Sequence, residues 1–251
     1  MDELLALLGQ HWRLLLLYPG GLTAISALGL VRLTLAHNVT WHSTRNVTGL
    51  DVVLGAGWLL LIALLPLPQT GWPYGLDLPT LLLLIELPHW VWLLQCNDQW
   101  MPRAAVLLNT YPLLALAVAL VGQGAGSLVV REINQNSELL HWLGVAAWSV
   151  ALPPLLGLGP WRTAPPARLI ESLRLLTHLA LLVAATLPAH DATPRSAALF
   201  AFAAALLPLA VLHRRWQDEP QRWLAWQPWL VGGIAVAALI VSAQQFVQRL
   251  G

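Results

Sequence analysis

Five ionisable side chains lie within two apolar stretches of this sequence, and their spacing places each set on one helical face. Glu86 and His89 are three residues apart in the first stretch, so a helix brings them side by side. In the second stretch, Glu171, Arg174 and His178 stand at positions i, i+3 and i+7. A carboxylate beside an imidazole can hold or pass a proton, and a carboxylate beside a guanidinium can neutralise its charge. We therefore predict a buried polar site or proton relay on these two helices.

Two interpretations of these charges are open. A charged side chain at bilayer depth costs at least about 2.5 to 3.5 kcal/mol, so intramembrane charges usually face the bundle interior and serve a function. Alternatively, the second helix begins at the lipid headgroups, where Glu171 and Arg174 are solvated or extend their charged ends to water.

The elements that carry these residues are eight consecutive apolar stretches. Apolar residues make up 57% of the 251 residues and charged residues 10%, whereas soluble domains average about 25% charged residues. A membrane-spanning helix needs about 20 mostly apolar residues. The predicted spans are residues 14–35, 52–67, 78–94, 104–121, 139–158, 167–187, 196–212 and 228–247. We predict an all-α polytopic membrane protein, a bundle of about eight transmembrane helices, with residues 1–251 as a single integral membrane domain.

Several classes of function lack their usual sequence signals. The formal net charge of +1 has none of the basic excess of nucleic-acid-binding proteins, so we expect the lipid bilayer and not nucleic acid as a partner. The single Cys96 is incompatible with an internal disulfide or a cysteine-based zinc site. No nucleophile with a base, phosphate-binding loop or metal motif is evident. We therefore expect no catalytic residue and no metal, and no catalysis by this chain alone.

Arginine placement predicts the orientation, because short positively charged loops stay on the cytoplasmic side. Eight arginines lie in the connections between predicted spans 1-2, 3-4, 5-6 and 7-8 or at the adjoining ends of those spans: Arg32, Arg45, Arg103, Arg162, Arg168, Arg214, Arg215 and Arg222. The opposite side contains four: Arg13, Arg131, Arg195 and Arg249. All basic residues are Arg, which indicates a GC-rich, bacterial genome. We predict a multi-pass protein of the bacterial cytoplasmic membrane with both termini outside.

Three segments carry a family resemblance. Residues 17–24 read Leu-Tyr-Pro-Gly-Gly-Leu-Thr-Ala, and residues 126–128 read Gly-Ser-Leu, followed by Ile133 and Gln135. A third segment, residues 214–222, is a basic loop before the last predicted span. In this order the segments resemble the H subunit of respiratory complex I and the homologous membrane subunit of energy-converting nickel-iron hydrogenases.

The resemblance implies a membrane-anchor subunit that docks a soluble redox arm and couples it to proton translocation. Its partners would be other membrane and peripheral subunits of a redox complex. This chain alone would bind no cofactor, and the resemblance is compatible with a quinone-binding site beside it. The family's acidic quinone-cavity loop is shortened here to residues 159–166. The residues expected at the quinone loop and docking surface are Arg162, Arg168, Arg214 and Arg215.

Two other classes of function remain open. A secondary transporter or permease for a small solute would use the same buried ions. A non-catalytic membrane scaffold would tolerate every polar-to-apolar change in the third and sixth predicted spans.

Overall fold

The computed structural model describes residues 9, 11–35, 48–70, 75–95, 100–133, 135, 138–158, 161, 168–188, 193–218 and 220–250, without the side chains of residues 168, 169, 216–224 and 248–250. The helices are α1 (Gly21–Leu35), α2 (Gly49–Leu64), α3 (Leu78–Leu94), α4 (Trp100–Ala125), α5 (Leu139–Leu156), α6 (Arg168–Thr186), α7 (Arg195–Asp218) and α8 (Pro220–Leu250). A short helical stretch, residues 11–16, precedes α1, and a single turn, Val130–Ile133, lies between α4 and α5. The described residues form no β-strand, only an isolated bridge between Asp77 and Val129. The predicted all-α fold class is confirmed.

Local sequence signals explain several helix ends. Thr48 and Asp51 form a capping box at the start of α2, in which each side chain accepts a bond from the other residue's backbone N–H. Asp77 caps α3 by accepting a hydrogen bond from the Thr80 N–H. At the end of α5, Gly157 adopts a left-handed conformation (φ +67°) that terminates the helix.

α4 is longer than its predicted span, which covered residues 104–121. The helix begins at Trp100, so Arg103 lies inside it and is only 4% exposed. Its assignment to the 3-4 connection was therefore wrong, because the apolar pattern alone does not show that a helix continues through an arginine. Without Arg103, the predicted cytoplasmic arginines number seven (eight minus one) against four, and the predicted orientation is the same.

α6 is the central helix of the bundle. Every side chain from residue 173 to residue 185 is buried, on all sides of the helix. α6 contacts α1, α2, α3, α5 and α7, as well as the turn Val130–Ile133. Polar groups on any face of α6 must therefore find their partners on neighbouring helices.

The molecule exposes many large apolar side chains and buries several charged ones, which is unusual for a soluble protein. Leu33, Phe200 and Trp229 are 75%, 76% and 77% exposed, whereas Arg174 is 1% exposed and His178 is fully buried. Within the described ranges, five helical segments are long and apolar enough to cross a membrane: His11–Leu35, which includes the short stretch before α1, Trp100–Ala125, Leu139–Leu156, Arg195–Arg215 and Ala225–Val247. Gly49–Leu64 and Leu78–Leu94 are shorter apolar helices. A membrane-embedded protein accounts for this distribution, and the count of eight spans stays a prediction.

Two glycines allow close approach of α4 and α5. A Cβ atom on Gly144 of α5 would lie 2.6 Å from the Val121 nitrogen and 2.8 Å from the Ala117 oxygen. A Cβ atom on Gly124 of α4 would overlap the backbone of His141. Small residues that bring backbones together are a common basis of helix association in membranes.

Candidate functional site

The candidate site is a buried ionic network centred on Glu86 of α3, here called the Glu86 network. Arg174 of α6 binds the carboxylate through Nε at 3.0 Å from Oε1 and through Nη2 at 2.8 Å from Oε1 and 2.6 Å from Oε2. Glu86 is 7% exposed and Arg174 is 1% exposed. The planar guanidinium fork matches the two carboxylate oxygens, and the charge-assisted bonds are short, so this is a strong interhelical pair.

Two more side chains bind the same carboxylate. His178, one turn after Arg174 on α6, places Nε2 2.7 Å from Glu86 Oε1. The Tyr111 hydroxyl of α4 donates to Oε2 at 2.8 Å and accepts a hydrogen bond from Trp90 Nε1 at 2.6 Å. An ionised carboxylate only accepts hydrogen bonds, so His178 Nε2 carries a proton whenever Glu86 is charged. The Glu86 network therefore joins α3, α4 and α6.

The carboxyl end of α5 provides further acceptors for buried arginines. Arg174 Nη1 donates to the Leu155 oxygen at 2.7 Å. Arg103 of α4 donates to the same oxygen through Nη2 at 2.6 Å and to the Pro154 oxygen through Nη1 at 3.0 Å. The last carbonyls of a helix have no partners within it and carry partial negative charge, so they are suitable acceptors for two guanidinium groups.

His89 lies one turn after Glu86 but does not hydrogen-bond to it. Its side chain is fully buried, and neither ring nitrogen has a hydrogen-bond partner among the described residues. The imidazole stacks on Trp92, with ring centroids 5.6 Å apart. Glu86 and His89 therefore do not form the predicted side-by-side pair, because the Glu86 carboxylate binds the Arg174 guanidinium of α6 and the Tyr111 hydroxyl of α4 instead.

The two predicted residues at the start of α6 have different surroundings. Arg174 is almost completely buried, so the interpretation that it reaches solvent is wrong. Its ion pair joins Glu86, 88 residues away in the sequence, across two helices. Glu171 is partly exposed. The structure therefore brings together Glu86, Arg174 and His178 of the five predicted residues.

Of the four predicted docking arginines, the two whose side chains are described, Arg214 and Arg215, lie outside the Glu86 network. Arg162 lies outside the described residues. Arg168 is the first residue of α6, and its side chain is not among those that the structure describes. Arg214 and Arg215 are exposed near the end of α7. The Arg214 Nη2 group lies 3.5 Å from the Thr34 oxygen near the end of α1.

Sequence reasoning missed Arg103 and Tyr111. Both are on α4, and Arg103 continues the buried stripe of Leu107 and Leu114. That stripe, at intervals of four and seven residues, could have shown that Arg103 faces the bundle. No comparable signal distinguishes Tyr111 from the aromatic residues that line lipid headgroups.

The donor set of the Glu86 network suits proton and ion-pair chemistry. No group of three or more His, Cys, Asp or Glu side chains in the described ranges is placed to hold a metal ion. No protein-family model and no curated protein matches this chain.

Proposed function

We propose that this chain is a membrane-anchor subunit of a complex I-like or energy-converting hydrogenase-like oxidoreductase in the bacterial cytoplasmic membrane. Redox chemistry would take place on partner subunits docked at its cytoplasmic connections. The chain itself would couple that chemistry to proton translocation. The observation that carries the proposal is the Glu86 network, which joins three helices through charged groups inside an apolar bundle.

Burying these charged groups costs free energy, which favours a functional role for them. Each charged side chain at bilayer depth costs at least about 2.5 to 3.5 kcal/mol on the insertion scale. Helices with leucine at the same positions would pack without that cost. A membrane protein that retains a glutamate and two arginines in its interior therefore has a use for their charge.

The geometry suggests how the network would couple a proton to movement. A proton added to Glu86 would remove the negative charge that holds the Arg174 guanidinium. Arg174 would then keep its bond to Leu155 on α5 but lose its strongest attachment to α3. His178 is within reach to deliver or take that proton, since its Nε2 is 2.7 Å from Oε1. Proton binding and the packing of α3 on α6 would thus depend on each other.

A non-catalytic scaffold is the second candidate, and one observation favours it. Both carboxylate oxygens of Glu86 are already occupied by Arg174, with His178 on one and Tyr111 on the other. A fully satisfied buried pair can also serve to fix which helices pack together. One result distinguishes the two candidates. If the chain is a scaffold, the complex would still translocate protons normally after the charges of the Glu86 network are removed.

Affinity purification in mild detergent tests the proposed assembly. We expect iron-sulfur and large hydrogenase-like subunits among the co-purifying chains. Recovery of the chain alone, together with solute movement across liposomes by the purified chain, would instead identify a transporter.

Proton translocation by the purified complex tests the role of the network. We expect Glu86→Gln to lower the number of protons moved per electron while electron transfer continues on the partner subunits. Glu132→Gln changes an exposed glutamate in the turn between α4 and α5; it is the matched control and should leave the ratio unchanged. An unchanged ratio in Glu86→Gln would leave only the scaffold.

A further inference from the structure

The Leu155 carbonyl is shared by two buried arginines from different helices. Arg174 Nη1 of α6 and Arg103 Nη2 of α4 donate to it at 2.7 Å and 2.6 Å. Arg103 spans the neighbouring carbonyl as well, since its Nη1 donates to the Pro154 oxygen at 3.0 Å. The Arg103 guanidinium therefore donates hydrogen bonds to two successive carbonyls at the end of α5.

The way in which α5 ends explains why the Leu155 oxygen is available. The N–H groups of Gly157 and Leu158 donate to the Pro154 and Pro153 oxygens, which is the bond pattern of a Schellman motif. The chain then leaves the helix, so no backbone N–H of α5 reaches the Leu155 oxygen. The partial negative charge at this end of the helix favours the two guanidinium groups.

The shared carbonyl places a constraint on the ion pair. Arg174 uses Nη1 for Leu155 and uses Nε and Nη2 for Glu86, so one rigid, planar group contacts both partners. A shift of the Leu155 oxygen would turn or withdraw that plane and misalign its two bonds to the carboxylate.

Gly157 provides an independent sign that Arg103 is closely fitted to this helix end. A Cβ atom on Gly157 would lie 2.7 Å from Arg103 Nη1 and 2.9 Å from its Cζ. The glycine therefore meets two requirements, the left-handed backbone conformation and the room for the guanidinium.

We propose that Arg103 is a positioning residue, which fixes the carboxyl end of α5 so that the Leu155 carbonyl orients Arg174 toward Glu86. The 5-6 connection begins directly after this helix end. Displacement of this helix end would therefore reach the Glu86 network through Leu155 and the two arginines. This consequence for coupling rests on the proposed function, whereas the positioning role concerns the chain alone.

Infrared spectroscopy of the full chain in lipid nanodiscs tests the positioning role. The Glu86 carboxylate band is identified by its loss in Glu86→Gln. Arg103→Lys keeps the positive charge, but a single ammonium group cannot reproduce the two parallel hydrogen bonds of the guanidinium to the Pro154 and Leu155 oxygens. Gly157→Ala leaves every ionisable group in place and displaces the Arg103 guanidinium. We expect both variants to shift the Glu86 band away from its position in the paired carboxylate.

The control is Arg13→Lys, an exposed arginine near Trp12, which should leave the band unchanged. A wild-type Glu86 band in Arg103→Lys would overturn the proposal, because the positive charge alone would then be sufficient to keep Arg174 paired with Glu86. If Gly157→Ala does not fold, the result for Arg103→Lys decides. The outcome is separable from that of the proposed function. A shifted band without co-purifying redox subunits supports positioning and contradicts the redox assembly, while co-purification with an unshifted band does the reverse.

Discussion

At the scale of single residues, Glu86 depends on side chains from two other helices. Arg174 and His178 of α6 and Tyr111 of α4 all bind its carboxylate. Desolvation of a buried pair can exceed its Coulombic gain, so the network is not in itself evidence of high stability. Loss of one partner is costly, however, because the remaining charge stays buried without compensation.

Asp77 is a simpler case, since it lies just before the first residue of α3. The Thr80 N–H and hydroxyl donate to its carboxylate and hold the pKa of Asp77 below its usual value. A lowered folded-state pKa adds stability above the unfolded pKa of about 3.9, and that stability is lost as the pH falls through the folded value. We expect Asp77→Ala to lower the free energy of unfolding by about 1 kcal/mol at pH 7, measured by denaturant titration in detergent micelles.

The pH dependence provides the control for this prediction. The difference between the wild type and Asp77→Ala should shrink below about pH 4, as the carboxylate becomes protonated. Asp77→Asn still caps the helix but does not titrate, so it should remain more stable than Asp77→Ala at low pH. A difference that is independent of pH would contradict the capping role of the charge.

At the scale of helices, the glycine contacts between α4 and α5 give a prediction about packing. Gly144→Ala places a Cβ against the Val121 nitrogen and the Ala117 oxygen, which are backbone atoms that cannot move aside alone. We expect a loss of about 1 to 3 kcal/mol in the free energy of unfolding, the usual range for overpacking. Unfolding by denaturant in mixed micelles measures it.

Two other helical glycines serve as matched controls. A Cβ atom added to Gly29 of α1 or to Gly57 of α2 would have no neighbouring atom within 4 Å. Alanine is the better helix former by roughly 1 kcal/mol, so Gly29→Ala and Gly57→Ala should be neutral or slightly stabilising. Equal destabilisation by all three substitutions would refute close backbone packing as the cause.

The positions of the helices along the chain were easier to predict than which helices contact one another. Apolar length locates the helix centres, and the i, i+3 and i+7 spacing correctly places Arg174 and His178 on one side of α6. The sequence does not show that this side meets Glu86 across 88 residues, since spacing describes one helix and not the helix beside it. The stripe shared with Leu107 and Leu114 could have placed Arg103 inside α4, but it could not have identified the acceptors of Arg103, which are backbone carbonyls of α5 and have no sequence signature.

At the scale of the whole molecule, the arginine distribution predicts which connections face the cytoplasm. The only cysteine, Cys96, lies in the predicted cytoplasmic 3-4 connection, and Ser137 lies in the 4-5 connection on the opposite side. We expect a membrane-impermeant maleimide to leave Cys96 unlabelled in intact cells. It should label a cysteine introduced as Ser137→Cys in a Cys96→Ser background.

Permeabilised cells are the control for this experiment, because both positions should then react if they are accessible. Labelling of Cys96 together with protection of the Ser137→Cys variant in intact cells would mean that the orientation is inverted. The positively charged end of α7, with Arg214 and Arg215, would then face outward and could not dock a cytoplasmic redox arm.

The interhelical pairing of Glu86 with Arg174 is tested most directly by a double-mutant cycle, with unfolding free energies measured in lipid bicelles. We expect Arg174→Met to cost about 3 to 5 kcal/mol, because it leaves Glu86 buried without its cation. Glu86→Leu combined with Arg174→Met should recover most of that loss, which gives a large coupling energy between the two positions. If the two single substitutions instead add up to the effect of the double variant, Glu86 and Arg174 do not pair inside the bundle.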